Sequence, residues 1–179
     1  PGTATLTART GTTEMGTRHK GGREKVGLSS GSRVYDAKNA GPFLAPPPLH
    51  PTVGEAHMEG SPIGVIFCVE PWNFPCYQLA RVAGPHLMAG NTLLVKHAGI
   101  VPQCAIAFEK LLLEAGAPEG LYTNLMISHE QSDRVVHDPR VKGVALTGSV
   151  AAGRTIASDA GRRLKGASMA LGGSDAGTG

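Results

Sequence analysis

Aromatic side chains are scarce: one Trp, three Tyr and four Phe make up 4% of the chain. A core must therefore come from aliphatic residues, and there is no interleaved aromatic platform for single-stranded nucleic acid. Cysteine is equally sparse. Cys68, Cys76 and Cys104 follow no metal-ligand spacing and cannot all pair, which excludes a disulfide framework and fits a reducing compartment. No apolar run approaches the roughly 18 residues of a membrane span. The opening PGTATLTARTGTTEMG lacks the apolar segment of a secretory signal, so the cytoplasm is the expected location.

A strong charge bias is also missing from most of the chain. Residues 1–40 carry Arg9, Arg18, Lys20, Arg23, Lys25, Arg33 and Lys38 against Glu14, Glu24 and Asp36. That is net +4 of an overall +3, so residues 41–179 are net −1. The basic character belongs to the leading segment, and no nucleic-acid footprint is expected on the globular part.

What is present is enough for one domain, or for a piece of a larger protein: 179 residues, 41% of them hydrophobic, with 25 glycines. Residues 1–40 have few, scattered large apolar side chains, and too little to bury against the entropy of ordering; a degenerate segment, or one mobile unless another chain covers it, is expected there. GPFLAPPPLHP at 41–51 reads as extended through its prolines, and 41–62 as a connector. From 63 the texture alternates. Strands are expected at 63–70, 92–98, 121–128, 141–149 and 167–173, and helices at 77–89, 102–116, 131–138 and 151–165. The run IGVIFCVE is apolar throughout, as when both faces of a strand are covered. PQCAIAFEKLLLEAG opens on proline and closes on glycine, as helices do.

Strands alternating with helices predict an α/β fold with a doubly wound, mostly parallel sheet over residues 63–179. Ligands in such folds sit at the carboxyl ends of strands, which directs attention to 70–73, 96–99, 128–130, 148–153 and 171–173. Asn73, held between Pro71 and Pro75, is either a turn asparagine or an amide suited to a developing oxyanion. Lys96 leaves a buried strand and either snorkels to water or meets a ligand. Gly148-Ser149 followed by Gly153 has the strand–turn–helix setting of a phosphate-binding turn, without the spacing of a P-loop. Three such features on one sheet edge favour nucleotide binding.

PWNFP (71–75), GNTLLVKHA (90–98), AGAPEGLYTNLMIS (115–128), DPRVKGVALTGSVAAGR (138–154) and ALGGSDA (170–176) occur in an order and spacing that resemble the aldehyde dehydrogenase family. The texture is similar to its bacterial succinate-semialdehyde branch. The resemblance is dense from about 41 to 176 and faint upstream. It implies that Asn73 is the oxyanion-hole amide and that Pro71 and Trp72 line the cofactor channel. Lys96 would bond the adenosine ribose hydroxyls, and Gly148 and Ser149 would meet the pyrophosphate beside Gly153. Leu171 borders the same cofactor site. Gly99 stands where an acidic side chain often selects NAD, so NAD and NADP both stay open. Residues 41–62 fall at the family's oligomerisation hairpin, which implies self-association, with no nucleic-acid or membrane partner.

Two departures accompany the resemblance. The family reads Glu-Leu-Gly-Gly at 170–173, its glutamate being the general base; here Ala170 cannot move a proton. The nucleophilic cysteine belongs to a catalytic domain beyond Gly179, and Cys68, Cys76 and Cys104 do not match its motif. The chain is therefore expected to be an incomplete aldehyde dehydrogenase, inactive alone and acting on an aldehyde only with the missing domain supplied. A remnant that binds nucleotide without turnover is the rival reading.

Overall fold

A computed structural model describes residues 2–16 and 19–173. Residues 174–176, the last of the ALDH-like motif, and the end of the expected 63–179 domain lie outside the described residues. Two N-terminal helices, α1 (Gly2–Met15) and α2 (His19–Leu44), precede a repeating strand–helix unit. The unit comprises β1 (Val65–Glu70), α3 (Pro75–Met88), β2 (Thr92–His97), α4 (Pro102–Glu114), β3 (Tyr122–Asn124), α5 (His129–His137), β4 (Val141–Gly148), α6 (Val150–Gly161) and β5 (Gly166–Leu171). All neighbouring strands pair in parallel in the order β3-β2-β1-β4-β5. The order reverses beside β1, and that reversal makes a crevice at the strands' carboxyl ends.

Alternation along each strand sorts its side chains onto two faces. Ile66, Cys68, Leu93 and Val95 pack with Leu79 and Val82 of α3 and Phe108 of α4. Phe67, Val144 and Leu146 pack on the other face with Val136 of α5 and Ile156 of α6. Phe67, Leu79 and Leu93 are fully buried, and each such side chain stabilises the fold by about 1.5–3 kcal/mol. Few aromatics are needed because aliphatic residues fill both layers.

Residues 1–40 differ from the sequence expectation. No face was legible there, yet α1 and α2 form and lie against α3 and α4. Glu14 accepts from the backbone N–H groups of Gln103 (2.6 Å) and Cys104 (3.0 Å). It thereby caps α4, whose own N-cap, Val101, offers no side-chain oxygen. Met15 packs against the cluster of Cys76, Val101 and Cys104, and the Arg33 guanidinium lies 5.8 Å from the Phe108 ring centre. Asp36 packs so closely over Gly84 that a Cβ there would collide with its carboxylate. Tertiary contacts hold helices that intrinsic propensity would not.

The proline-rich connector also begins later than expected. Helix α2 continues to Leu44 with Pro42 inside its last turns. Beyond it the chain runs without regular structure to β1, apart from a single antiparallel bridge between Pro48 and His57. Helix α3 runs through Gly84-Pro85. Strand β3 stops at Asn124, four residues short of the expected end. One further bond, Leu125 N–H to the Val95 carbonyl (2.7 Å), follows before the chain turns into the N-cap of α5.

Candidate functional site

The start of β1 is fixed by a buried amide. Asn91 Oδ1 accepts from the N–H groups of Ile63 (2.8 Å) and Gly64 (3.1 Å), so the Gly-Asn preceding β2 has a structural task. With β1 and β2 in register, Val69 pairs with Lys96 and Glu70 with His97. Val69 also pairs with Leu146 of β4. Lys96, Val69 and Leu146 thus form one row on the α5/α6 face, and Gly148 follows two residues along β4 on that face.

Lys96 is 6% exposed, and burial lowers its pKa. Among the described residues its Nζ meets the His97 carbonyl at 3.5 Å, the outer limit of a hydrogen bond. An ammonium carries three donors, so this cation has capacity for a hydroxyl-bearing or anionic ligand at the crevice. Ser149 is the N-cap of α6: its Oγ accepts from Ala152 N–H (3.2 Å), and its hydroxyl proton is left to donate. The first turn of α6 directs backbone N–H groups toward the same sheet edge.

Gly153 packs against the end of β5. A Cβ on it would lie 2.5 Å from Leu171 Cδ2, so the glycine permits α6 to close on the end of β5. Leu171 pairs with Gly148 in register. Gly148, Gly153 and Leu171 are therefore brought together at one corner, with Lys96 two strands away. Pro71, Trp72 and Asn73 occupy the β1–α3 turn; Trp72 is 51% exposed and Asn73 is also exposed. Gly99, in the turn before α4, has nothing within 4 Å of where a Cβ would stand.

The remaining strand ends resolve into local structure or a second cluster. Ser128 and Gln131 form a capping box on α5 (2.8 and 3.1 Å), so 128–130 needs no ligand to explain it. His97 is 5% exposed, and its Nδ1 lies 3.1 Å from the Glu70 carbonyl. Burial holds its imidazole toward the neutral form. Glu70 is 3% exposed, and burial pushes its carboxyl up to about 8, against smaller opposing effects of the Thr147 hydroxyl and Arg81. Arg81 Nη2 donates to Thr147 Oγ1 (2.8 Å). The sequence flagged 70–73 but gave Glu70 no role and did not single out Arg81 or Thr147; an acid closing an apolar run was the available signal.

The three cysteines are buried free thiols. Burial raises the Cys68 thiol above its ordinary range, the opposite of what a thiolate nucleophile needs. No group of three or more His, Cys, Asp or Glu able to hold a metal occurs among the described residues. No helix among them is long and apolar enough to cross a membrane.

A parallel sheet ordered 3-2-1-4-5, with a buried lysine and a helix N-terminus at its crevice, defines the doubly wound α/β class. A family model described as the aldehyde dehydrogenase family matches residues 12–177. The chain belongs to that family. It is 42% identical over 164 residues to a succinate-semialdehyde dehydrogenase [NADP(+)] of Deinococcus radiodurans, covering 92% of this chain and 34% of that protein. An aldehyde dehydrogenase of Paenarthrobacter nicotinovorans is 41% identical over 173 residues, covering 94% and 38%. Among solved structures, succinic semialdehyde dehydrogenase from Streptococcus pyogenes, in complex with NADP+, superposes with a TM-score of 0.92 at 44% identity. That match covers 95% of this chain and 37% of the other. The chain thus spans about a third of the length of the curated relatives it matches.

Proposed function

We propose that this chain is the dinucleotide-binding portion of an NADP-linked aldehyde dehydrogenase whose substrate is succinate semialdehyde or a similar aldehyde. The observation that carries the reading is Lys96: a buried cation with unused donors, in register with β1 and β4, facing the corner where α6 begins. The NADP(+) for which the Deinococcus relative is named and the NADP+ in the Streptococcus structure support the cofactor. Gly99 supports it too, since open space there admits a 2′-phosphate that an acidic side chain would repel.

In this reading Lys96 donates to the adenosine ribose hydroxyls. Ser149 and the first-turn N–H groups of α6 hold the pyrophosphate after Gly148. Pro71 and Trp72 wall the channel, and Leu171 closes its floor against Gly153. The bound dinucleotide supplies a hydride acceptor. Asn73, on a turn stiffened by Pro71 and Pro75, donates to the aldehyde oxygen as negative charge develops on it; such a donor contributes about 2.7–4 kcal/mol in comparable sites. Residues 41–62, largely exposed around the Pro48–His57 bridge, serve as an arm for pairing with a second copy.

Calorimetric titration with NADP+ and NAD+ tests this. Saturable NADP+ binding, tighter than NAD+ and weakened about tenfold or more (~1.4 kcal/mol) by Lys96→Ala, is expected. Folded protein that binds neither dinucleotide would refute it. Ala170 favours one alternative, a domain that binds nucleotide without turnover. Under that alternative, binding persists but a supplied catalytic domain restores no aldehyde oxidation.

A further inference from the structure

Glu70, Thr147 and Ala170 stand side by side at the carboxyl ends of β1, β4 and β5. Thr147 pairs with Ala170, and Glu70 and Thr147 each follow the paired Val69 and Leu146 by one residue. With strands about 4.8 Å apart, Glu70 and Ala170 are roughly 10 Å apart at the backbone, with Thr147 between them. All three line a cavity of about 280 Å³, with Arg81 and His86 of α3 on another wall. This is the α3/α4 face, opposite the face that carries Lys96 and Gly148.

Glu70 is the only carboxylate among the residues lining that cavity. The Thr147 hydroxyl acts on its carboxyl to favour the ionised form, and Arg81 in turn fixes Thr147. The second oxygen, Oε2, is buried without a protein partner. A buried carboxyl oxygen left unpaired carries a desolvation cost, and such exceptions call for a ligand, a water or a proton-carrying role. Water occupies about 30 Å³, so the cavity has room for one at Oε2. Ala170 offers no polar atom to compete for it.

We propose that Glu70 is the proton-accepting carboxyl of this cavity, serving from β1 the function that Ala170 cannot serve from β5. A water O–H bond breaks, an O–H bond to Oε2 forms, and the remaining hydroxide oxygen carries the electron pair as the nucleophile. No oxidant or reductant enters the step, and the proton returns to solvent afterwards. The assignment rests on the aldehyde-dehydrogenase reading, in which a water must be activated at this sheet edge. Thr147 and Arg81 are positioning residues. The charged and titratable groups facing Glu70 are Arg81 and His86 from α3, Cys68 on its own strand, His97 on β2 and Tyr122 on β3.

Infrared difference spectroscopy of the full chain across pH, without dinucleotide, tests the proposal independently of cofactor binding. A protonated-carboxyl band should titrate near 8, exchange readily with D2O, and vanish in Glu70→Gln. Ala170→Glu should place a second carboxyl in the same cavity, so that two coupled steps replace one and the upper step moves higher. The proposal is overturned if the band survives Glu70→Gln, or if its proton resists exchange. Ordinary, independent titration of the carboxyl in Ala170→Glu would overturn it as well. If Glu70→Gln fails to fold by circular dichroism, the Ala170→Glu spectra decide alone. Because no dinucleotide is present, failure here leaves the NADP+ titration standing, and the reverse also holds.

Discussion

At the scale of single residues, glycine and lysine carry most of the site. Gly153 is required by geometry: a methyl group there would press on Leu171. Gly153→Ala should destabilise the chain by about 1–3 kcal/mol, read as a lowered urea midpoint with an unchanged slope. Adding Leu171→Ala should recover most of that loss, because the clash has a single partner. Additive losses would contradict the contact. The sequence singled out Gly153 and gave it to the approach of helix and cofactor; the neighbour the structure shows is Leu171. Spacing reveals that a backbone must come close to something; it does not reveal that the something is Leu171. Lys96 was legible because a cation at the end of an apolar run is conspicuous. Glu70 fell within the flagged 70–73 but was given no role, because its significance depends on Thr147 and Arg81, which are 66 positions apart in sequence and are brought together by the fold.

At the scale of elements, the strand–helix alternation from residue 63 onward was readable because buried parallel strands are short apolar runs bounded by turns. Strand β4 and helix α4 begin where expected, at Val141 and Pro102. Boundaries failed where a side chain decided them. Ser128 and Gln131 draw the chain into a capping box and end β3 early. The first two helices were illegible for a related reason: what holds α1 is the bond from Glu14 to α4, 89 and 90 residues away, and no local pattern announces it. Glu14→Ala should therefore loosen two elements at once. A loss of about 1 kcal/mol is expected, with faster amide hydrogen exchange at Gln103 and Cys104 and in α1. Exchange that rose in α1 alone, with α4 untouched, would show that the cap is not made in solution.

At the scale of the whole molecule, the two faces of the sheet carry different groups of polar residues. One face gathers Lys96, Gly148 and the start of α6; the other gathers Glu70, Thr147 and Ala170 around a cavity. The buried acid has a global consequence. Its folded-state pKa is raised to about 8 above an ordinary 4.5, so between these values the folded chain binds more protons than the unfolded one. Stability must then fall as pH rises through that window and level off above it. The ceiling on this single effect is on the order of 5 kcal/mol. Denaturant titrations at several pH values should show the fall, and Glu70→Gln should flatten it. An unchanged slope in Glu70→Gln would mean that Glu70 is not the group responsible.

The opposite end of the sheet offers the sharpest rival for an anionic dinucleotide. Lys142, Arg162, Arg163 and Lys165 line a cavity there, at the start of β4 and β5, and charge alone would draw phosphate to it. Fold and helix geometry favour the carboxyl ends instead. Mapping amide chemical shifts of the isotope-labelled chain during NADP+ titration separates the two. The account predicts saturable changes at 71–73, 96–99 and 148–153, and none at 162–165 beyond those of an equal concentration of simple salt. Shifts confined to Arg162–Lys165 and Lys142, with the crevice silent, would contradict it.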